Sequence, residues 1–360
     1  MTTVSAGARR PAVEPPAMTP HATPAPALVL GGGGFLGTNI VDALRAEGGR
    51  VAVAHRGRTL PFHLRGRVDE ACRADLGDPA SLRAAMRGRR VVFHAAGHYP
   101  RYSLAGGDAV VLARQEMRNA LEAARDAGVE RVVYTSSIAV LSRADGASAR
   151  EGDVPVEPPR DSVYRAVKWH LEDVVGEARA AGLDVVTLRP GGCLGPWDLR
   201  AGTGALIAAA IRGELPWIAE GLVHLVDVRD VARAHAVAAW CPRGRTYNLA
   251  GHAVRTPALF ERIAARHGGA RPALVLRADD ARARATEEER AAAAAHLRVA
   301  LPREMVDIAL AGCPASDDLA RRELGFAPRP LDEALDACVA WFRRTGLLPP
   351  STPAPGASPT

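Results

Sequence analysis

Tyr164 and Lys168 stand four residues apart in the run Tyr164-Arg165-Ala166-Val167-Lys168, and in a helix that spacing stacks both side chains on one face, a turn from each other. An ammonium held near a phenol favours phenolate and draws the tyrosine pKa from about 10 toward the working pH. A tyrosine in that state can give a proton to, or take one from, the oxygen of a carbonyl or alcohol. Lys168 is the single lysine of a chain with 46 Lys and Arg residues, so its use at this spacing is pointed. Ser137 follows the apolar run Arg131 to Thr135, where its hydroxyl could hydrogen-bond the same reacting oxygen. Ser136 is the alternative, because strand alternation lets only one of two neighbours face a site.

Glycine recurs at Gly31, Gly34 and Gly37, directly after the apolar run Ala27 to Leu30 and at the opening of a helical pattern that begins with Phe35 and Leu36. In such a strand–turn–helix the first glycine permits the tight turn, the second lets backbone approach a pyrophosphate, and the third lets the helix pack close to the sheet. The helix N-terminus adds free N–H donors and partial positive charge. These five residues are therefore expected to border a dinucleotide. No Asp or Glu ends the second apolar run, Val51 to Ala54; Arg56 follows instead, with Arg58 nearby. An acid there would hydrogen-bond a ribose 2′-OH, whereas a guanidinium suits a 2′-phosphate, so NADP(H) is expected in preference to NAD(H). Asp75 and Leu76 are placed to cover the adenine edge, with a helix cap near Pro79 as the other reading of Asp75.

The elements that must hold these residues alternate. Apolar runs at 27–30, 51–54, 68–72, 91–96, 131–137 and 184–190 alternate with helical patterns at 35–44, 109–127 and 164–180. Strands of near-continuous apolar character separated by helices give a parallel sheet covered on both faces. The expected fold is α/β, a Rossmann-like doubly wound parallel sheet spanning 27–190, with a smaller, mostly helical C-terminal substrate lobe over 191–348 and a segment at about 223–250 returning to the sheet. Residues 1–26 and 349–360, rich in Pro and small residues, read as a disordered leader and tail. Open sheets of this kind bind ligands at the strand C-termini.

Composition excludes other classes. Hydrophobic residues are 48% and charged residues 24% of the 360, as in a globular soluble protein. The net charge of +6 comes from arginines interleaved with acids, which describes a solvated surface rather than a nucleic-acid face. The five cysteines, Cys72, Cys193, Cys241, Cys313 and Cys338, are too dispersed for a disulfide framework or a metal site, and a reducing cytoplasm is expected. No stretch is apolar enough to span a membrane.

Taken together, the motifs GGGGFLG (31–37), DLGDPASL (75–82), VVFHAAG (91–97), YTSS (134–137), YRAVK (164–168), LRPGGCLGPWD (188–198) and VDVRDVARAH (226–235) resemble the extended short-chain dehydrogenase/reductases, the NAD-dependent epimerase/dehydratase family. Members similar to dihydroflavonol 4-reductase and 3-beta-hydroxysteroid dehydrogenase are nearest. The resemblance runs from about Ala27 to Leu348. It implies that Ser137 polarises the substrate oxygen, that Tyr164 is the acid/base, and that Lys168 binds ribose and tunes Tyr164. It further implies that His94, Ala95 and Ala96 border the cofactor, that Pro190 and Gly191 border the nicotinamide, and that the protein is a homodimer. Four positions depart from the family. Leu30 replaces a threonine, Ala113 replaces an asparagine in the central helix, and Val223 and His224 replace an Arg-Asp pair that grips a nucleotide diphosphate.

The reading is an NADP(H)-dependent oxidoreductase acting on a carbonyl/secondary alcohol pair of a small, ring-bearing or apolar molecule. His98, Tyr99, Tyr102, Trp197 and Trp217 are the expected substrate walls, because aromatic surfaces suit such a molecule. The rivals are sugar epimerisation or dehydration with a recycled cofactor, and a non-catalytic NADP(H) sensor or scaffold.

Overall fold

A computed structural model describes residues 26–97, 100, 108–199 and 202–350. The chain opens with β1 (Ala27–Leu30), α1 (Phe35–Ala46), β2 (Val51–His55), β3 (Glu70–Arg73), α2 (Pro79–Met86), β4 (Val91–His94), α3 (Ala109–Asp126), β5 (Arg131–Thr135), α4 (Val163–Ala180) and β6 (Val185–Pro190). It continues through β7 (Gly192–Leu194), α5 (Gly204–Ile211), β8 (Trp217–Ala219), β9 (Leu222–Asp227), α6 (Val228–Ala238), β10 (Thr246–Leu249), β11 (His252–Arg255), α7 (Thr256–His267), β12 (Leu274–Leu276), α8 (Ala278–Ala294), α9 (Arg303–Leu310), α10 (Asp318–Leu324) and α11 (Leu331–Arg344).

Seven strands form the central sheet in the order β3-β2-β1-β4-β5-β6-β10, and every pair in it is parallel. Strand period sorts the side chains to two faces. Val29, Val53, Phe93, Val133 and Val186 meet Ile40 and Val41 of α1 and Val231 of α6. Leu28, Leu30, Ala52, Val92 and Val132 meet α2, α3 and α4 through Leu82, Met117, Leu121 and Leu171. Both faces are dry, which is why these strands read as unbroken apolar runs. Strand order reverses between β1 and β4, and that switch point opens a crevice at the strand C-termini.

The lobe has its own core, where Ile207, Phe260, Ile263, Val339 and Phe342 pack together. Beside its helices the described residues hold five short strands that periodicity did not reveal, arranged as β11-β9-β7 and β12-β8. The strand read through Ala96 ends at His94. No described helix is long and apolar enough to cross a membrane. All five cysteines are free, and no group of His, Cys, Asp or Glu among the described residues is arranged to hold a metal.

Candidate active site

A cavity of about 1510 Å³ runs along the strand C-termini and on into the lobe. At one end lies the turn between β1 and α1. Gly31 has φ of +77°, a conformation that side chains resist, and a β-carbon on it would sit 2.9 Å from Ala96 Cα. A β-carbon on Gly37 would lie 2.2 Å from the Gly31 carbonyl oxygen. The N-cap of α1, Gly34, brings no side chain of its own, so the first amides of the helix face the cavity uncapped. This is a cradle that any larger residue would fill, and it fits the pyrophosphate of a dinucleotide. Gly31, Gly34, Phe35, Leu36, Arg56, Leu76, Ala95, Ala96, Pro190 and Gly191 all line the cavity. Arg56 is exposed immediately after β2.

Midway along, Ser137, Tyr164 and Lys168 line the same cavity. Ser137 caps a single turn of 3-10 helix at Ile138–Val140, its Oγ accepting from Ala139 N at 3.2 Å, which leaves the hydroxyl proton free to be donated elsewhere. Ser136 Oγ donates its hydrogen bond to Glu172 Oε1. Both serines line the cavity; Ser136 donates to Glu172, whereas the Ser137 hydroxyl only accepts, from Ala139 N. Lys168 Nζ donates to the Thr135 carbonyl at 3.1 Å and stands 6.0 Å from the Tyr164 ring centroid. Desolvation by burial pushes the Lys168 ammonium down to about 8, with Glu172 acting the other way.

The first turn of α4 is held from a distance. Glu304 of α9, buried in the lobe, accepts from Ser162 Oγ at 2.7 Å, Val163 N at 3.1 Å and Tyr164 N at 3.0 Å. A carboxylate at a helix N-terminus answers both the free amides and the helix dipole. One turn beyond Lys168, Glu172 pairs with the buried Arg189 of β6, which also donates to Glu151 O at 2.7 Å. Neither Glu304 nor the Glu172–Arg189 pair was found from sequence. A carboxylate four residues after Lys168 was the one local hint.

A family model described as the NAD dependent epimerase/dehydratase family matches residues 27–250. The chain belongs to that family. It is an NAD(P)-dependent enzyme of the extended short-chain dehydrogenase/reductase type. It is similar to a Synechocystis sp. protein provisionally named dihydroflavonol 4-reductase, with 30% identity over 89% of this chain and 95% of that protein. It is also similar to sterol demethylase protein B of Methylococcus capsulatus, with 32% identity over 89% of this chain and 99% of the relative. A solved structure from Pseudomonas aeruginosa, described as a nucleoside-diphosphate-sugar epimerase, superposes with a TM-score of 0.76 at 28% identity, covering 89% of this chain and 98% of that one.

Several residues expected from the sequence at the cofactor or substrate site do not line the cavity. Trp217 is 1% exposed in the lobe core, its Nε1 donating to Glu288 at 2.8 Å, and it does not line the cavity. Trp197 also stands outside the lining, stacked on His63 and beneath the Arg67 guanidinium. His94 is buried in β4 with its ring against Tyr134, and burial with the nearby Lys168 charge pushes it down to about 4. It is not among the residues that line the cavity. Gly37 acts through close packing with Gly31, not through the lining. Asp75 closes a turn by accepting from Gly77 N at 2.9 Å, and the cap of α2 is Asp78. His98, Tyr99 and Tyr102 lie outside the described residues. At the family's asparagine position Ala113 is packed in the core, and Asn119 further along α3 donates to Leu76 O at 2.8 Å.

Proposed function

We propose that this enzyme is an NADP(H)-dependent oxidoreductase that interconverts a carbonyl and a secondary alcohol on an apolar small molecule, with Ser137, Tyr164 and Lys168 carrying the proton chemistry. The observation that supports it is the meeting of a free serine donor, a tyrosine and the lone lysine on one cavity wall, beside a glycine cradle shaped for a dinucleotide.

The cofactor would lie on Gly31, Gly34, Phe35 and Leu36, with Ala96 and Gly191 at its sides and Arg56 toward the adenosine end. When bound and reduced it supplies the hydride. Tyr164 gives its phenolic proton to the substrate oxygen as that oxygen gains charge, and Ser137 donates a hydrogen bond to the same atom. Lys168, anchored on the Thr135 carbonyl, keeps positive charge near the phenol and stabilises its deprotonated form. Arg56, with no acid at the end of β2, favours a 2′-phosphate and hence NADP(H) over NAD(H).

A second reading, epimerisation of a sugar nucleotide, is favoured by the likeness to the Pseudomonas structure. Against it, Val223 and His224 stand at the positions of the diphosphate-gripping pair, and His224 Nε2 is engaged with Cys313 O at 3.1 Å. The test is stoichiometry, followed through the near-ultraviolet absorbance of the reduced nicotinamide across a panel of ketones with each cofactor. NADPH consumed mole for mole with alcohol formed supports the proposal; a product formed with no net change in cofactor overturns it.

A further inference from the structure

At about 1510 Å³ the cavity exceeds the roughly 300–1000 Å³ typical of a pocket for one small molecule. Its chemistry changes along its length. Beyond Tyr164 it runs between α5, α7 and α9, where the wall is apolar and mostly aliphatic: Leu206, Ile207, Leu259, Phe260, Met305 and Ile308. Three polar side chains on this wall are already engaged with the protein, each through at least one hydrogen bond. Thr256 Oγ1 donates to Ala219 O at 2.5 Å and accepts from Gly221 N at 3.0 Å. His224 is held on Cys313 O, and both Asp198 carboxylate oxygens accept from Gly202 N. A sugar pressed against these groups would lose water from its hydroxyls and gain little in return, which buried polar groups do not tolerate. An alkyl body would lose nothing and would gain the burial.

One feature breaks the apolar pattern. Arg298, between α8 and α9, lines the cavity, is exposed, and makes no hydrogen bond or ion pair with the described residues. Arg165, on the same cavity, is by contrast neutralised by Asp161 at 2.6 Å. A guanidinium without a carboxylate beside an aliphatic passage matches an amphiphile, the chain lying along the passage and an oxyanion accepting the N–H donors.

We infer that the lobe half of the cavity takes a long-chain aliphatic ketone or alcohol that carries a carboxylate at its far end, the alkyl body lying against α5, α7 and α9 and the carboxylate on Arg298. This rests on the carbonyl/alcohol reading of the same site and narrows it. Of the described residues expected as aromatic walls, neither Trp197 nor Trp217 lines the cavity, and Phe260 does.

The test is calorimetric titration of the full chain, saturated with NADP+, using straight-chain oxo-octadecanoic acids with the ketone moved along the chain, their methyl esters, and UDP-glucose. The expected result is one or more acids binding about tenfold tighter than the matching ester. Arg298→Ala, at an exposed position that folding does not depend on, should erase that difference and leave ester affinity unchanged, and UDP-glucose should give no binding heat. Acids and esters of equal affinity in the unaltered protein, or UDP-glucose binding where no acid does, would overturn the inference. Because binding is read without turnover, an acid that binds with this Arg298 dependence and is not reduced by NADPH supports the substrate class while sinking the oxidoreductase reading. A protein that reduces other ketones but shows no acid preference does the reverse.

Discussion

Lys168 reaches across from α4 to hydrogen-bond the carbonyl of Thr135 at the end of β5, Nζ to O 3.1 Å. Thr135 is itself pinned, its hydroxyl 2.8 Å from Nε2 of the buried His235 in α6. Helix, sheet and the opposite helical layer thus meet at one ammonium, and the position of that charge beside Tyr164 is fixed by main chain rather than by a flexible partner.

The charge on Lys168 should therefore show in the pH profile. Burial holds its pKa at about 8, below the ordinary lysine value of 10.5, so the ammonium is present below that pH and is lost as pH rises through it. The turnover number should be level near neutrality and fall with a single proton loss centred near 8. Lys168→Arg, whose guanidinium does not titrate in this range, should lower turnover and remove that limb. Steady-state rates from pH 6 to 10 for both proteins, with cofactor saturating, check it.

Arg56 should decide between the two nicotinamide cofactors. Arg56→Ala removes the donors proposed for the 2′-phosphate, and charge-assisted hydrogen bonds contribute about 1.5–3 kcal/mol. The Kd for NADPH should rise tenfold or more while that for NADH stays the same. Fluorescence titration with each cofactor reads the two values; equal weakening of both would remove Arg56 from this role.

Gly37 and Gly34 should respond differently to an added methyl group. At Gly37 the new carbon would meet the Gly31 carbonyl oxygen at 2.2 Å, and backbone cannot step aside; at Gly34 the same oxygen is 3.2 Å away. Gly37→Ala should destabilise the protein by roughly 1–3 kcal/mol and abolish cofactor binding, whereas Gly34→Ala should fold normally and bind more weakly. Urea unfolding with and without NADP+ separates the two effects.

What could be read from the chain were its local signals. Gly31, Gly34 and Gly37 announce a turn because their spacing is confined to seven residues, and Tyr164 with Lys168 announces a helix face for the same reason. The apolar runs from Ala27 to Pro190 gave the parallel sheet because both of its faces are covered. What remained hidden depends on distant partners. Glu304 caps the helix of Tyr164 from 140 positions along the chain, and nothing near Glu304 marks it. Trp197 and Trp217 looked like substrate walls because side-chain type says nothing of which way a residue turns, and both turned into packing or surface stacking instead. The lobe strands escaped because three residues, as in β8 and β12, are too few to establish a period. Asp75 and Asp78 differ only in which of them precedes the helix by one residue, a boundary that propensity does not resolve.

The account stands or falls on the phenol of Tyr164. Single-turnover hydride transfer from bound NADPH to a reducible ketone, measured by stopped-flow absorbance in the wild type and in Tyr164→Phe, isolates that group, because the substitution deletes one oxygen and leaves the ring. A rate lower by about 10²- to 10⁴-fold, with the Kd for NADPH unchanged, is the predicted outcome. A Tyr164→Phe protein that binds NADPH and transfers hydride within a few-fold of the wild-type rate would contradict it.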